Sequence, residues 1–84
     1  MSRRKVYPPG YPKPDPLHLD FHKLRIVRKT LDFSQVELSR RCGVWDGMVN
    51  QWEHGRAVPS ILDLIRLSRL LGTPMFDLFD IVEG

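Results

Sequence analysis

Apolar and polar positions along this chain follow a helical period, in short bursts punctuated by glycine and proline. After Pro16, Leu24, Val27 and Leu31 recur at spacings of three and four and make one apolar face. Asp20 is placed to cap a helix that starts at Phe21, and Asp32-Phe33 breaks the pattern. Ser34 opens a second, short helix, with Glu37 three residues on as a capping-box signature. It buries Val36 or Leu38, exposes Gln35, Arg40 and Arg41, and stops at Cys42-Gly43, where glycine can take the left-handed conformation. A third helix covers about residues 46–53 and ends at Gly55. Val49 and Trp52 can face a core there, which turns Trp45, Asp46, Met48, Asn50 and Gln51 outward. The loop HGRAVP leads to Ser60, another N-cap. Ile61, Leu64, Ile65, Leu67 and Leu71 form the stripe of a fourth helix closed by Gly72. Pro74, at a first helical turn, opens a fifth short helix through Phe79. The pattern contains no strand signal and no repeat.

Composition adds three constraints. Eighty-four residues make one small domain, which buries only ~60–65% of its unfolded surface and so has a thin core. Residues 1–16 hold five of the seven prolines, which disfavours both helix and sheet. They are expected to form a flexible, extended, basic arm, ahead of a helical domain over residues 17–84. The net charge of +3 belongs to this arm, because residues 17–84 balance nine basic against nine acidic side chains. A basic tail of this kind acts electrostatically on a polyanion or aids solubility.

The remaining chemistry mostly excludes. A single cysteine, Cys42, rules out an internal disulfide framework. No stretch approaches the ~20 apolar residues of a membrane span, so a cytoplasmic, nucleoid-associated protein is expected. His18 and His22 flank Asp20, but no third or fourth ligand follows at zinc-site spacing, and no metal or cofactor is expected. No nucleophile–base pair or phosphate loop supports an enzyme.

The informative feature is two short helices joined at Cys42-Gly43-Val44, a helix–tight turn–helix. The run SQVELSRRCGVWDGMVNQWEHGRAVPSILDLIRLSRLLGTP resembles the Cro and repressor family of helix-turn-helix domains, also called the xenobiotic-response-element family. The resemblance rests on Ser34-Gln35, Leu38-Ser39, Gly43-Val44, Val49, Glu53-His54-Gly55, Pro59-Ser60 and Leu71-Gly72-Thr73-Pro74 in register. It covers about residues 20–80 and leaves the arm outside. It implies an all-α, five-helix lambda-repressor-like domain with an extended N-terminal arm. The implied function is sequence-specific binding of double-stranded DNA and transcriptional regulation, most often repression, with helix three in the major groove. It also implies a structural pair, Arg28 with Glu53, and a homodimer through the end of the domain formed by helix four and the residues after it, where Leu62, Leu70, Phe76, Phe79, Ile81 and Val82 add apolar surface.

Site roles follow from the resemblance and from what each side chain can do. Asn50 and Gln51 are carboxamides, which pair with adenine N6 and N7; a polar helix surface is the plain alternative. Trp45, Asp46 and Gly47 depart from the family, which usually has Ser or Thr at position 45 as the cap. Asp46 is expected to cap instead, or to accept from cytosine N4. Gly47 permits close approach, and Met48 could meet a thymine methyl. The base-contact set is therefore Trp45, Asp46, Gly47, Met48, Asn50 and Gln51. Helix three carries no Lys or Arg, so phosphate contacts are expected from Gln35, Arg40, Arg41, His54 and Arg56. Arg3, Arg4 and Lys5 of the arm could follow the groove or backbone. The alternative function is a protein-interaction module of the same fold, antitoxin-like or a co-regulator subunit, docking a partner through Trp45, Met48 and helix four.

Overall fold

The computed structural model describes residues 17–83; the arm, with Arg3, Arg4 and Lys5, lies outside the described residues. The order is β1 (Leu17–Asp20), α1 (His22–Thr30), α2 (Gln35–Arg41), α3 (Met48–Glu53), α4 (Ile61–Leu71), a 3-10 turn (Met75–Asp77) and β2 (Asp80–Glu83).

Local chemistry sets most boundaries. Helix α1 starts at His22 with Phe21 in the cap position, rather than at Phe21 behind Asp20. The Asp20 carboxylate, one residue further out, accepts from the His22 amide at 2.8 Å and satisfies a first-turn N–H. Asp32, at φ 64°, takes the left-handed conformation that ends the segment. Ser34 accepts from the Glu37 amide at 2.9 Å, which is half of the box expected there. The complete reciprocal box belongs to α4, where Ser60 and Asp63 exchange two bonds of 3.1 Å. Gly43, Gly55 and Gly72 all have positive φ, each at the foot of a helix.

The core is a single cluster. Phe21 and Leu24 meet Leu38, Cys42, Val49, Trp52, Leu64, Leu67, Leu71, Leu78 and Phe79. Of the two candidates on α2, Leu38 is buried and Val36 exposed. On α4 the buried stripe is narrower than the periodicity suggests. Leu64, Leu67 and Leu71 face inward, whereas Ile61, Leu62 and Ile65 are exposed.

The expected five-helix architecture is corrected: the described residues form four α-helices and one isolated 3-10 turn. The segment after Pro74 does not continue helically. Pro74 itself is extended, with ψ 140°. Only one turn follows, closed by Asp77 N–H to Pro74 C=O at 2.9 Å. Leu78 and Phe79 then drop into the core, and residues 80–83 run extended.

That last stretch also departs from the strand-free pattern. β1 and β2 pair antiparallel, Leu17 with Glu83, His18 with Val82, Leu19 with Ile81 and Asp20 with Asp80. A two-stranded ribbon is marginal alone, so its support matters. Leu19 packs on the core, and the Phe21 and Phe79 rings at its base lie 5.6 Å apart. The facing aspartates would repel, but Asp20 is engaged by the His22 amide and Asp80 by Lys23 at 2.9 Å.

Truncating Phe79→Ala is expected to cost about 3–5 kcal/mol, as for other buried aromatics. Amides of β1 and β2 should lose protection first. Denaturant unfolding and hydrogen exchange check the two effects.

Candidate nucleic-acid interface

Arg28 and Glu53 form the central polar contact. Arg28 Nε and Nη2 donate to Glu53 Oε2 and Oε1 at 2.6 and 3.0 Å, and Nη1 donates to the Phe33 carbonyl at 2.8 Å. The side chains are only 8% and 1% exposed. The pair therefore fastens α1 and the loop after it to the end of α3.

Gln35, expected to meet phosphate, lies against this pair. Its Nε2 donates to Glu53 Oε1 at 3.0 Å, and its Oε1 accepts from Asn50 Nδ2 at 3.1 Å. A carboxylate only accepts, so Glu53 fixes which way the Gln35 amide points. Gln35 in turn draws the Asn50 amino group inward. Both residues are half-buried, and their amides are partly committed within the protein.

The turn between α2 and α3 has its own clamp. Gly43, at φ 74°, reverses the chain, and Val44 N–H returns to the Ser39 carbonyl at 3.1 Å. The buried Ser39 hydroxyl donates to the Gln35 carbonyl at 2.7 Å and accepts from the Val49 amide at 3.1 Å. Helix α3 has no side-chain cap of its own. Ser39, one helix away, satisfies an amide of its first turn. The only sequence signal for this is the small hydroxyl residue after Leu38.

Asp46 does not cap α3, and the helix begins at Met48 rather than near residue 46. Its carboxylate pairs instead with Arg40, Nε to Oδ1 at 3.0 Å and Nη2 to Oδ2 at 2.9 Å. The hydrogen bond from Arg40 holds the Asp46 carboxyl below its ordinary value, against the opposing effect of desolvation.

Trp45 and Gly47 explain one another. The indole is 61% exposed yet lies over Gly47, so close that an added Cβ there would sit 2.2 Å from ring carbons. Any other residue at 47 would displace the ring. Met48 is half-buried and packs on the core, while Gln51 stays half-exposed on the outer side.

The other expected phosphate partners ring this face. Arg41 stacks its guanidinium over Phe33, 5.2 Å from the ring centre. Arg56 is exposed just beyond Gly55. His54 Nδ1 lies 2.8 Å from the Asn50 carbonyl, to which it donates. Its Nε2 is then an acceptor in the neutral ring, so His54 donates to an anion only as imidazolium. Cys42 is buried, and burial pushes its thiol up, away from reactivity. His18 and His22 fall on β1 and on the start of α1. Among the described residues no three His, Cys, Asp or Glu are grouped to hold a metal, and no helix is long and apolar enough to cross a membrane.

A pair of short helices locked at a glycine turn, with the second helix's outer face uncovered, defines a helix-turn-helix DNA-binding protein. The chain belongs to the helix-turn-helix family, whose model matches residues 24–78. Among solved structures it resembles the P22 c2 repressor, determined with a synthetic operator, at 30% identity over 68% of this chain and 86% of that one, with a TM-score of 0.64. It also resembles the restriction-modification controller protein C.AhdI of Aeromonas hydrophila, at 26% identity over 69% and 88% of the two chains, with a TM-score of 0.64. SinR, a master regulator of biofilm formation solved with DNA, matches at 26% identity over 68% and 95%, with a TM-score of 0.62. A comparison with curated protein sequences gives no match.

Removing one partner of a buried ion pair is strongly destabilising, so Glu53→Ala should cost about 3–5 kcal/mol. Ser39→Ala orphans the Val49 amide and should cost about 1–3 kcal/mol. Both are read by chemical denaturation. The Asp46 carboxyl should titrate below the ordinary carboxylate value by NMR, and Arg40→Ala should return it there. The sign follows from the lowered value: the pair is intact above the ordinary carboxylate range and is lost as pH falls through the depressed midpoint.

Proposed function

We propose that this DNA-binding transcriptional regulator acts as a repressor and as a homodimer, with the outer face of α3 in the major groove. The observation that carries the reading is the locked pair of helices. Arg28–Glu53 and Ser39 fix α3 rigidly on α1 and α2, yet Trp45 and Gln51 remain outward. A fixed helix with an open face fits the width of the major groove.

In this reading Trp45 and Gln51 meet base edges, and Asn50 joins them through the part of its amide that Gln35 leaves unused. Arg41 and Arg56 contact phosphates flanking the groove, with His54 joining them when protonated. The arm residues Arg3, Arg4 and Lys5 add sequence-independent attraction. Dimerisation uses the exposed apolar side chains Ile61, Leu62 and Ile65 of α4 with Phe76. It would set two recognition helices one DNA turn, about 34 Å, apart. The P22 c2 repressor and SinR, both solved with DNA, support this use of the fold, and a cytoplasmic location follows from it.

Selection of bound DNA from a random pool tests the reading. The selected site should bind ~10³-fold or more tightly than random DNA. Its affinity should fall with salt by about 0.9 log units per log unit for each phosphate contacted. Deleting residues 1–5 should reduce that slope, and sedimentation should return a dimer mass. A well-folded protein that enriches no sequence would instead favour the interaction module docking through Trp45, Met48 and α4.

A further inference from the structure

Helix α3 carries no Lys or Arg of its own, yet a guanidinium is held at its leading edge. Arg40, in the last turn of α2, reaches past the Gly43 turn to Asp46. Both contacts use one side of the guanidinium, Nε to Oδ1 at 3.0 Å and Nη2 to Oδ2 at 2.9 Å. The group presents five N–H donors in a rigid plane. With the Nε–Nη2 edge taken by the carboxylate, the edge formed by Nη1 and Nη2 is left. Its two parallel N–H groups match the O6 and N7 acceptors that guanine shows in the major groove.

Two further observations point the same way. The side chains are 69% and 51% exposed, and an ion pair so wet adds little to stability, so core packing does not account for it. Asp46 also stands where a cap for α3 would be useful, yet its carboxylate is turned to Arg40 while Ser39 serves the Val49 amide from elsewhere. The arrangement fixes the plane of a flexible side chain before any ligand arrives, which lowers the ordering cost of binding.

We infer that Arg40 is a base-reading residue for guanine in the major groove, and that Asp46 is the positioning residue that aims it. The inference rests on the DNA-binding reading above and adds a specific base to it. It also separates Arg40 from a phosphate contact. A phosphate needs charge and accepts lysine as a point cation, whereas guanine's paired acceptors need the fork.

The test uses the full chain and the DNA sites it selects from a random pool. Each guanine is replaced in turn by adenine or by 7-deazaguanine, which lacks the N7 acceptor. One guanine per half-site should emerge whose replacement weakens wild-type binding by about ten- to a hundredfold. Arg40→Lys should bind the parent site more weakly and lose the preference at that position alone. Asp46→Asn should keep part of the preference. Both residues are exposed, so both variants should melt as the wild type does, which separates lost reading from lost folding. An Arg40→Lys protein that keeps the same guanine preference overturns the inference, as does one that binds all sequences equally less well. Selected sites with no sensitive guanine overturn it too, while leaving the DNA-binding reading intact. A wild type that selects no sequence overturns both.

Discussion

A buried carboxylate that can only accept hydrogen bonds organises this domain. Glu53 sits at the end of α3 with almost no water around it. It takes two donors from Arg28 and one from Gln35. Arg28 gives a third hydrogen bond to the Phe33 carbonyl. One ion pair thereby fixes α1, the link to α2, the first residue of α2 and the last residue of α3. Taking both charges out of water is costly and is offset only by geometry this complete. What the geometry shows is a fixed position: one carboxylate and one guanidinium set the spacing of three segments.

The departures at Trp45-Asp46-Gly47 make sense against that frame. A serine or threonine at 45 would cap α3 and leave an ordinary helix start. Here the hydroxyl comes from Ser39, across the turn. Residue 45 is a large ring that lies over Gly47, where any side chain would displace it, and Asp46 holds Arg40. Trp45 and Gly47 thus form one linked pair, and Asp46 forms another with Arg40 across the turn.

Much of this was legible in the sequence where the information is local. Leu24, Val49, Trp52, Leu64, Leu67 and Leu71 declare their burial through helical spacing, whereas α2 is too short to choose between Val36 and Leu38; Ser34, Ser60 and the three turn glycines mark helix ends. The match of motifs in register supplied the helix-turn-helix arrangement. What escaped was non-local. Four residues are too few for a periodic strand signal, and β1 pairs with a segment some sixty positions away. The Arg40–Asp46 pair crosses a turn, so neither residue's spacing reveals it. Ile61 and Ile65 fit an inward stripe by period, yet the core in a chain this small is not wide enough to cover them.

The ribbon of β1 and β2 also has an entropic meaning, because it joins the two ends of the described chain. The polar clamps around the turn join residues no more than 25 positions apart, from Arg28 to Glu53, and such loops close at lower entropic cost than a longer one. The ribbon encloses nearly the whole described chain, and closure entropy rises with the length enclosed. Its register is therefore worth forming only once Phe21 and Phe79 have been brought together by the core. The helix pair is built from nearby parts of the chain, and the paired ends act as a clasp that joins the two extremes of the described residues.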